Sequence, residues 1–388
     1  MGPLAGIRVL DLTTVGPGAR CAAMLADLGA EIVRVGPPPS AQRIVPEPWA
    51  YSAGRGVRRI GIDLKDPAGR DACLALAATC DAVLEGFRPG VADRLGIGFE
   101  DVRSSRGDVV HASLTGYGQD GPYAQWAGHD LNYQAVSGAL ATVGRRNDGG
   151  PALPGATFAD SAGGGMHAAL SICAALVARD QARLRGERPA AVHLDVAAVD
   201  GMLALMSLTI DEHLATGRAL VHGGSLLSGR YACYDVYPCR DGRWVSVGAI
   251  EPRFWANLCR ALGCEQWVDH QFDDGVQDQV RADLCTVFAT RDRDDWVAEL
   301  GPVDTCVAPV LEIDEVAGDR HLQARGAFTQ VDIGDVESLQ TARVLAGADR
   351  PARENGSGPE DSDARALLAD AGLSDDVIDK LLQSEVVQ

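Results

Sequence analysis

Short apolar runs alternate with helical patterns through the first third of the chain. Strand-like runs cover residues 6–13, 31–35, 81–87 and 109–118, and helical patterns cover residues 20–30 and 66–80. Asp66 and Pro67 suit a helix N-cap and the first helical position, and Gly29 suits a helix end. A repeated strand–helix–strand pattern is typical of a parallel sheet covered by helices. The pattern therefore predicts an α/β fold.

The rest of the chain departs from this alternation. Two strand-like runs flank Asp241-Gly242, a favoured hairpin turn, and helical patterns and one further strand follow. We therefore predict a large domain at 1–200, completed by 331–388, a linker at 201–224 and a small α+β domain at 225–330. Residues 161–180 predict a long buried helix, with a core face formed by Met166, Ala169, Leu170, Cys173, Leu176 and Val177.

Composition argues against several classes of function. The net charge of −19 disfavours nucleic acid as a general partner. The ten cysteines form no CxxC pair and have no zinc-like spacing, which favours free thiols in a reducing compartment. No apolar run approaches the roughly 20 residues of a membrane span. We expect a cytoplasmic protein without a metal site, a membrane partner or a nucleic-acid partner.

The turn after the first strand has two interpretations. Gly16 and Gly18 lie between a strand and a helix, as in a dinucleotide-binding turn. That fingerprint needs a third glycine at the position of Cys21. The sequence therefore favours a tight strand–helix turn without a bound dinucleotide.

Basic residues concentrate in one part of this acidic chain: Arg34, Arg55, Arg58, Arg59, Lys65, Arg88 and Arg94. Such a cluster can hold phosphate groups against an unfavourable overall charge. Arginines that cap helices and cover the surface would produce the same pattern. Both interpretations stay open on the residues alone.

His129 and Asp160 are the candidates for proton transfer. A lone histidine is more often a structural residue, and a metal site would need further ligands at suitable spacing. Asp160 precedes three glycines at a predicted helix start, where aspartate commonly acts as an N-cap. Three glycines cost helix stability, but bare backbone lets a ligand approach free N–H groups. Glu251, just before Pro252, most simply caps the next helix.

Several segments together resemble the family III CoA-transferase (CaiB/BaiF) superfamily. The matching stretches are PLAGIRVLDLTTVGPG, LADLGAEIVRV, GIDLKDPAGR, DAVLEGFRPGVADRLGIG, LTGYGQDGPYAQWAGHDLNYQAVSGAL, FADSAGGGM and DGRWVSVGAIEPRFW. The GHDLNY piece resembles the α-methylacyl-CoA racemase branch. The resemblance implies a Rossmann-like large domain, a smaller α+β domain and an intertwined homodimer, with each active site between domains of different subunits.

The resemblance also implies an acyl-CoA substrate and no cofactor beyond the CoA of that substrate. The catalytic residues would be His129, Asp160 and Glu251. The CoA-binding residues would be Ile62, Asp63, Leu64, Lys65, Gly86, Phe87, Arg88, Arg94, Gly128, Asp130, Leu131, Asn132 and Tyr133. Pro37 stands where related racemases tend to carry a basic residue, so we expect one contact to be missing or supplied elsewhere. ATFADS is more polar than the related stretches, which argues against a plain fatty or steroid acyl tail.

Three functions are compatible with these residues. The first is racemisation of 2-methylacyl-CoA thioesters through an enolate, with His129 and Asp160 exchanging a proton with opposite faces of the α-carbon. The second is CoA transfer through a mixed anhydride on Asp160. The third is non-catalytic binding of acyl-CoA.

Overall fold

The computed structural model describes residues 2–38, 50, 57–218, 222–333, 336–341 and 363–388, without the side chains of 331–333 and 336–340. The chain divides into two compact units. The first contains Met1–Leu140, Leu153–Leu208 and Gln323–Gln388, and the second contains Ala141–Ala152 and Thr209–Leu322. The segment predicted as a linker is helical for much of its length, because the helix Ala198–Thr216 runs through it.

The first unit is built on a six-stranded sheet whose neighbouring strands are all parallel, in the order β3-β2-β1-β4-β5-β6. The strands are β1 (Arg8–Asp11), β2 (Glu31–Gly36), β3 (Val57–Gly61), β4 (Ala82–Glu85), β5 (Val110–Thr115) and β6 (Val192–Ala197). This arrangement confirms the predicted Rossmann-like α/β fold.

Helices connect these strands and continue into the second unit. They are α1 (Gly16–Asp27), α2 (Pro67–Ala78), α3 (Val91–Leu95), α4 (Phe99–Ser105), α5 (Asp130–Val136), α6 (Ala139–Thr142), a π-helix (Ala159–Met166), α7 (His167–Leu184) and α8 (Ala198–Thr216). Asp66 caps α2 by accepting the Ala68 N–H at 2.8 Å, and Pro67 takes the first helical position, as predicted.

Alternate residues of the strands pack into two separate cores. Val9 packs with residues such as Leu25 of α1 and Ile172 of α7, whereas Leu10 packs with residues such as Leu76 of α2. This alternation follows from the two-residue period of a strand, and it explains why both faces of the sheet carry helices.

The second unit contains a three-stranded antiparallel sheet formed by β7 (Tyr234–Pro238), β8 (Trp244–Gly248) and β9 (Val307–Val310). Gly242 has φ +78° in the turn between the first two strands, so the predicted hairpin is confirmed. The helices that follow are α9 (Pro252–Ala261), α10 (Gln277–Phe288), α11 (Arg293–Leu300), α12 (Ile313–Val316) and α13 (Arg320–Ala324), with short 3-10 turns at Leu226–Ser228 and Glu265–His270.

The C-terminal segment belongs to the first unit. It contains β10 (Phe328–Ile333) and β11 (Val336–Thr341), which pair as a hairpin, followed by α14 (Ala364–Asp370) and α15 (Asp375–Gln383). Leu367 and Ile378 are fully buried in the same core as Leu76. The last helices therefore complete one face of the six-stranded sheet.

The predicted core face of the long helix α7 is only partly right. Ala168, Ala169, Ile172, Leu176 and Arg179 are buried, whereas Met166, Leu170 and Val177 are exposed. Apolar residues occupy both sides of this helix, so spacing alone cannot select the face that meets the sheet.

One helix is apolar and long enough to cross a membrane by length and composition. It comprises the π-helix and α7, Ala159–Leu184. Of its most apolar 18-residue stretch, 39% is buried inside the structure. The sequence prediction overlooked this candidate because it counted uninterrupted apolar runs. A core helix of a soluble protein passes the same test.

Candidate active site

The loops after β1, β3, β4 and β5 share one edge of the six-stranded sheet, because parallel strands end on the same side. The strand order changes direction between β1 and β4, and ligands of such sheets bind at this kind of switch point. At that point Gly86 lies close to Thr13. A Cβ atom placed on Gly86 would lie 3.3 Å from Thr13 Cγ2. Predicted site residues follow β3, β4 and β5 at this edge.

Asp160 lies in the first turn of the π-helix. Such helices are rare and often mark functional sites. The carboxylate faces the turn after β1, since an added Cβ on Gly16 would be 3.7 Å from Asp160 Oδ2. Gly16 has φ +67°, a conformation that favours glycine. The turn first considered for a dinucleotide therefore lies beside the candidate catalytic carboxylate.

The three glycines of the π-helix serve packing. An added Cβ would lie 2.6 Å from Ala198 O at Gly163, 2.6 Å from Pro17 Cβ at Gly164 and 3.0 Å from Arg20 Cβ at Gly165. They let the π-helix approach α1 and α8 closely. The prediction that bare backbone here admits a ligand is therefore wrong at these three positions.

A second carboxylate holds Asp160 in place. The Asp160 N–H donates to Asp130 Oδ1 at 3.0 Å, and Gln134 Nε2 donates to Asp130 Oδ2 at 2.6 Å. This Asp160 N–H is thus engaged by a protein group and is not the free donor expected for a substrate oxygen. Both oxygens of Asp130, predicted to contact CoA, have protein partners: the bond from Asp160 ties α5 to the π-helix, and the bond from Gln134 lies within α5.

Burial raises the pKa of Asp160 above its usual range, and the negative charge of Asp130 raises it further. Arg20 and His129 oppose this shift through their positive charges. A carboxyl group with a raised pKa moves towards the usual range of histidine, which suits a pair that must exchange roles as acid and base.

His129 is the N-cap residue of α5, and its side chain is exposed. Its backbone N–H donates to Asn132 Oδ1 at 3.0 Å. The backbone of His129 is therefore fixed by a helix start, while its imidazole is not part of a core. This geometry excludes the interpretation of His129 as a buried packing residue, and Asn132 acts in the cap.

Tyr133 forms the floor beneath this segment. Its ring fills the space that side chains at Gly116 and Gly128 would occupy, and its hydroxyl donates to the Gly128 carbonyl at 2.6 Å. Burial, followed by the charge of Asp160, raises the pKa of Tyr133 to about 12. Tyr133 is therefore a neutral hydroxyl that supports Gly128, while Leu131 is 41% exposed.

The cation cluster divides into two groups. Arg34 Nε lies 2.7 Å from Asp11 Oδ2 in a buried pair, and Arg58 Nη1 lies 3.0 Å from Glu31 Oε1. Lys65, Arg88 and Arg94 are exposed and form no ion pair with any residue that the structure describes. Arg55 lies outside the described residues. The second group therefore keeps its charge available for phosphates.

Glu85 is a buried carboxylate next to the predicted CoA loop that the sequence analysis did not single out. Its side chain is only 3% exposed, and its Oε2 accepts the Phe87 N–H at 2.7 Å. Burial raises its pKa, against hydrogen bonds from Ser113 and the Phe87 backbone. A buried carboxylate that holds a loop is costly unless hydrogen-bonded, so Glu85 is placed to fix the loop of Gly86, Phe87 and Arg88.

Other predicted residues occupy less distinctive positions. Ile62 is 1% exposed, Asp63 and Leu64 are partly buried, and Pro37 follows β2. Glu251 lies in the second unit, exposed at the start of α9, and its side chain makes no capping hydrogen bond. The simple capping interpretation of Glu251 is therefore not realised.

Known proteins share this organisation. A family model described as CoA-transferase family III matches residues 4–361. The chain belongs to this family. Among its relatives, human α-methylacyl-CoA racemase is 34% identical over 343 residues, covering 88% of this chain and 86% of that protein. Acetyl-CoA:oxalate CoA-transferase of Acetobacter aceti is 28% identical over 380 residues, covering 94% and 95%.

A solved structure supports the same assignment. The crystal structure of a CAIB/BAIF family protein from Brucella suis has a TM-score of 0.76 at 25% identity, covering 95% of this chain and 99% of that one. Membership in family III means that the chain comes from a family of enzymes that includes both racemases and CoA-transferases.

Proposed function

We propose that this family III protein is a racemase or epimerase of 2-methylacyl-CoA thioesters. The observation that carries the proposal is the pairing of His129 with Asp160, a carboxyl group whose pKa is raised by burial and by Asp130. Racemisation of an activated carbon requires one basic and one acidic group on opposite faces of that carbon. The similarity to human α-methylacyl-CoA racemase supports the same choice.

In the proposed reaction one residue of the pair removes the α-proton of the thioester. The electrons of the C–H bond move to the carbonyl and form a planar enolate. The other residue then donates a proton to the opposite face, and the C=O bond re-forms. Neutral His129 with protonated Asp160 would serve one direction, and imidazolium with carboxylate the other. This chemistry needs the CoA thioester of the substrate and no further cofactor.

Lys65, Arg88 and Arg94 would hold the phosphates of CoA. Each is exposed at or near the edge where β3 and β4 end, and none is engaged by an acidic residue within the described segments. Arginine recognises phosphate through two parallel hydrogen bonds, which favours Arg88 and Arg94 as the residues that orient the phosphates. Glu251 would be an accessory acid. This role rests on the family resemblance alone.

CoA transfer is the competing function, and Asp160 is the reason to keep it. In that reaction the carboxylate attacks the thioester, the C–S bond breaks, and a mixed anhydride forms while CoA leaves as its thiolate. Relatives such as the Acetobacter aceti enzyme catalyse transfer. His129 would then have no role in the chemistry.

Incubation with a 2-methylacyl-CoA in D2O separates the two functions. We expect deuterium at the α-carbon without any acceptor acid, and loss of nearly all racemisation in His129→Ala, in which Asp160 can still exchange a proton on its own face. The proposal fails if no α-deuterium appears while CoA passes to an added carboxylate, or if His129→Ala keeps most of its turnover.

We also propose that the protein forms a homodimer. Leu170, Leu184 and Leu208 are 70%, 88% and 69% exposed in the single chain. Burial of these side chains in a subunit interface would remove apolar surface from water, which is favourable. Sedimentation equilibrium should give twice the mass of the chain, and a monomer at micromolar concentration would contradict this proposal.

A further inference from the structure

The outer edge of β3 is covered by residues from the far end of the chain. The strand lies at one end of the sheet order, so its outer backbone groups face no further strand among the residues that the structure describes. Asp363 N–H donates to Arg59 O at 2.9 Å. Gln388 and Gly61 exchange two backbone hydrogen bonds, of 2.7 and 2.9 Å, and Asp63 N–H donates to Val386 O at 2.9 Å.

These bonds end at the segment predicted to bind CoA. Residues 386–388, called the tail below, pair antiparallel with residues 61–63, and Val387 lies opposite Ile62. Ile62 N–H donates to Gly36 O on the inner side. The backbone of 61–63 is therefore held between β2 and the tail.

Asp63 links the tail to Lys65 through hydrogen bonds to both. Its backbone N–H is bound by Val386, and its Oδ1 accepts the Lys65 N–H at 3.0 Å. Its carbonyl accepts the Asp66 N–H at 3.1 Å, immediately before α2 begins. An added Cβ on Gly69 would lie 2.1 Å from Asp63 O and 3.1 Å from Val386 Cγ1, so α2 packs closely against both Asp63 and the tail at a position where no side chain fits.

The tail is anchored in the core. Val387 is fully buried beside Leu381 and Ile378, and Glu385 adopts φ +57° to turn the chain back after α15. A non-glycine residue in that conformation is uncommon and persists where its surroundings determine it. The turn thus has a structural reason, which is the return of the chain to β3.

We propose that the tail is a positioning element of the acyl-CoA site, holding loop 61–65 in the conformation that presents Lys65 to the phosphates of CoA. This inference rests on the acyl-CoA site of the proposed function but not on the reaction carried out there. The tail touches no reacting atom, so it acts on CoA affinity through the loop.

Calorimetric binding of free CoA tests the role of the tail. Val387→Asp places a carboxylate in the core and should release the tail, raising the dissociation constant about ten-fold. Gln388→Pro removes the backbone donor to Gly61 O, keeps the carbonyl that accepts the Gly61 N–H, and should raise the dissociation constant about three-fold. Turnover at saturating thioester should stay within about two-fold of the wild type in both variants. The lost contact stabilises the bound substrate and the transition state equally, so only affinity changes.

Ile378→Ala is the matched control, because it removes buried volume from the same core and leaves the tail hydrogen bonds in place. It should lower Tm without changing CoA affinity. The inference is overturned if Ile378→Ala weakens CoA binding as much as Val387→Asp does. Should Val387→Asp fail to fold, unchanged affinity in Gln388→Pro overturns it.

Hydrogen exchange provides a readout that does not depend on variants. Because coupling between sites is reciprocal, saturating CoA should slow amide exchange in the tail as well as in loop 61–65. Unchanged exchange in the tail contradicts the inference. Absence of CoA binding to the wild type overturns the CoA site and the inference together, whereas binding without α-proton exchange defeats only the proposed racemase.

Discussion

The helix around Asp160 is closely packed, whereas the loops with Lys65 and Arg88 project exposed side chains from the sheet. Gly163, Gly164 and Gly165 are buried against α1 and α8. Lys65 and Arg88 have no acidic partner among the described residues. A proton-transfer carboxyl group needs a pKa shifted by burial, which packing supplies. A phosphate site needs cations whose charge is not already neutralised. In the proposed acyl-CoA site the two regions would therefore serve one ligand in opposite ways.

Asp160→Asn should have the largest effect, because it removes the proton-transfer group and leaves the surrounding packing nearly unchanged. We expect interconversion of the two α-epimers to fall about a thousand-fold at saturating substrate, with unchanged affinity for free CoA. Chiral analysis of the acyl group and calorimetry would measure both. A large loss of CoA affinity would mean that the two regions are not separate in function.

Gly163→Ala should have the next largest effect. The new methyl group would lie 2.6 Å from Ala198 O and 3.1 Å from Met202 Cγ, so α8 must move. We expect the free energy of unfolding in urea to fall by about 1–3 kcal/mol. Gly107→Ala is the control, since no atom of the described residues lies within 4 Å of its added Cβ. Equal stability of the two variants would argue against tight packing at the π-helix.

Arg88→Ala tests the exposed loops. Loss of one charge-assisted hydrogen bond should raise KM for the acyl-CoA about ten-fold and leave kcat within about two-fold. Arg188→Ala makes the same change of charge at an exposed position away from this edge of the sheet, and its KM should equal that of the wild type. If both variants raise KM equally, the effect is one of net charge and not of a site.

Asp130→Asn should have the smallest effect, which is a shift in the pH dependence of turnover. The raised pKa of Asp160 means that its ionised form is disfavoured in the folded protein, with Asp130 the second cause after burial. In the direction that uses the Asp160 carboxylate, turnover falls as pH drops through this raised pKa. Asparagine keeps an oxygen for the Asp160 N–H but removes the charge, so the acidic limb should move to lower pH. A shift to higher pH would exclude the assigned cause.

The raised pKa of Asp160 also determines how the stability of the folded state changes with pH. Ionisation of Asp160 opposes folding, so its contribution favours the folded state below the ordinary Asp pKa and is lost as pH rises through the raised value. Asp160→Asn should therefore lose less stability than the wild type across that interval. This comparison uses unfolding alone and is independent of the reaction.

Local patterns alone determined much of this fold. Strands β1, β2, β4 and β5, the Asp66 cap and the hairpin at Asp241-Gly242 were predictable because each depends on residues within one turn or one strand, whereas β3 and β6 were not predicted. The motifs also singled out His129 and Asp160 as candidates. Neighbouring residues carry enough information for such features, since caps, turns and periodicity are local.

Tertiary structure decided what these residues touch. Asp130 receives the N–H of a residue 30 positions later, the glycines of the π-helix meet Pro17 and Ala198, and the tail pairs with Gly61. The buried face of α7 was also chosen by the sheet, because apolar residues lie on both of its sides. Such contacts join distant parts of the chain, and one sequence contains no spacing rule that relates them.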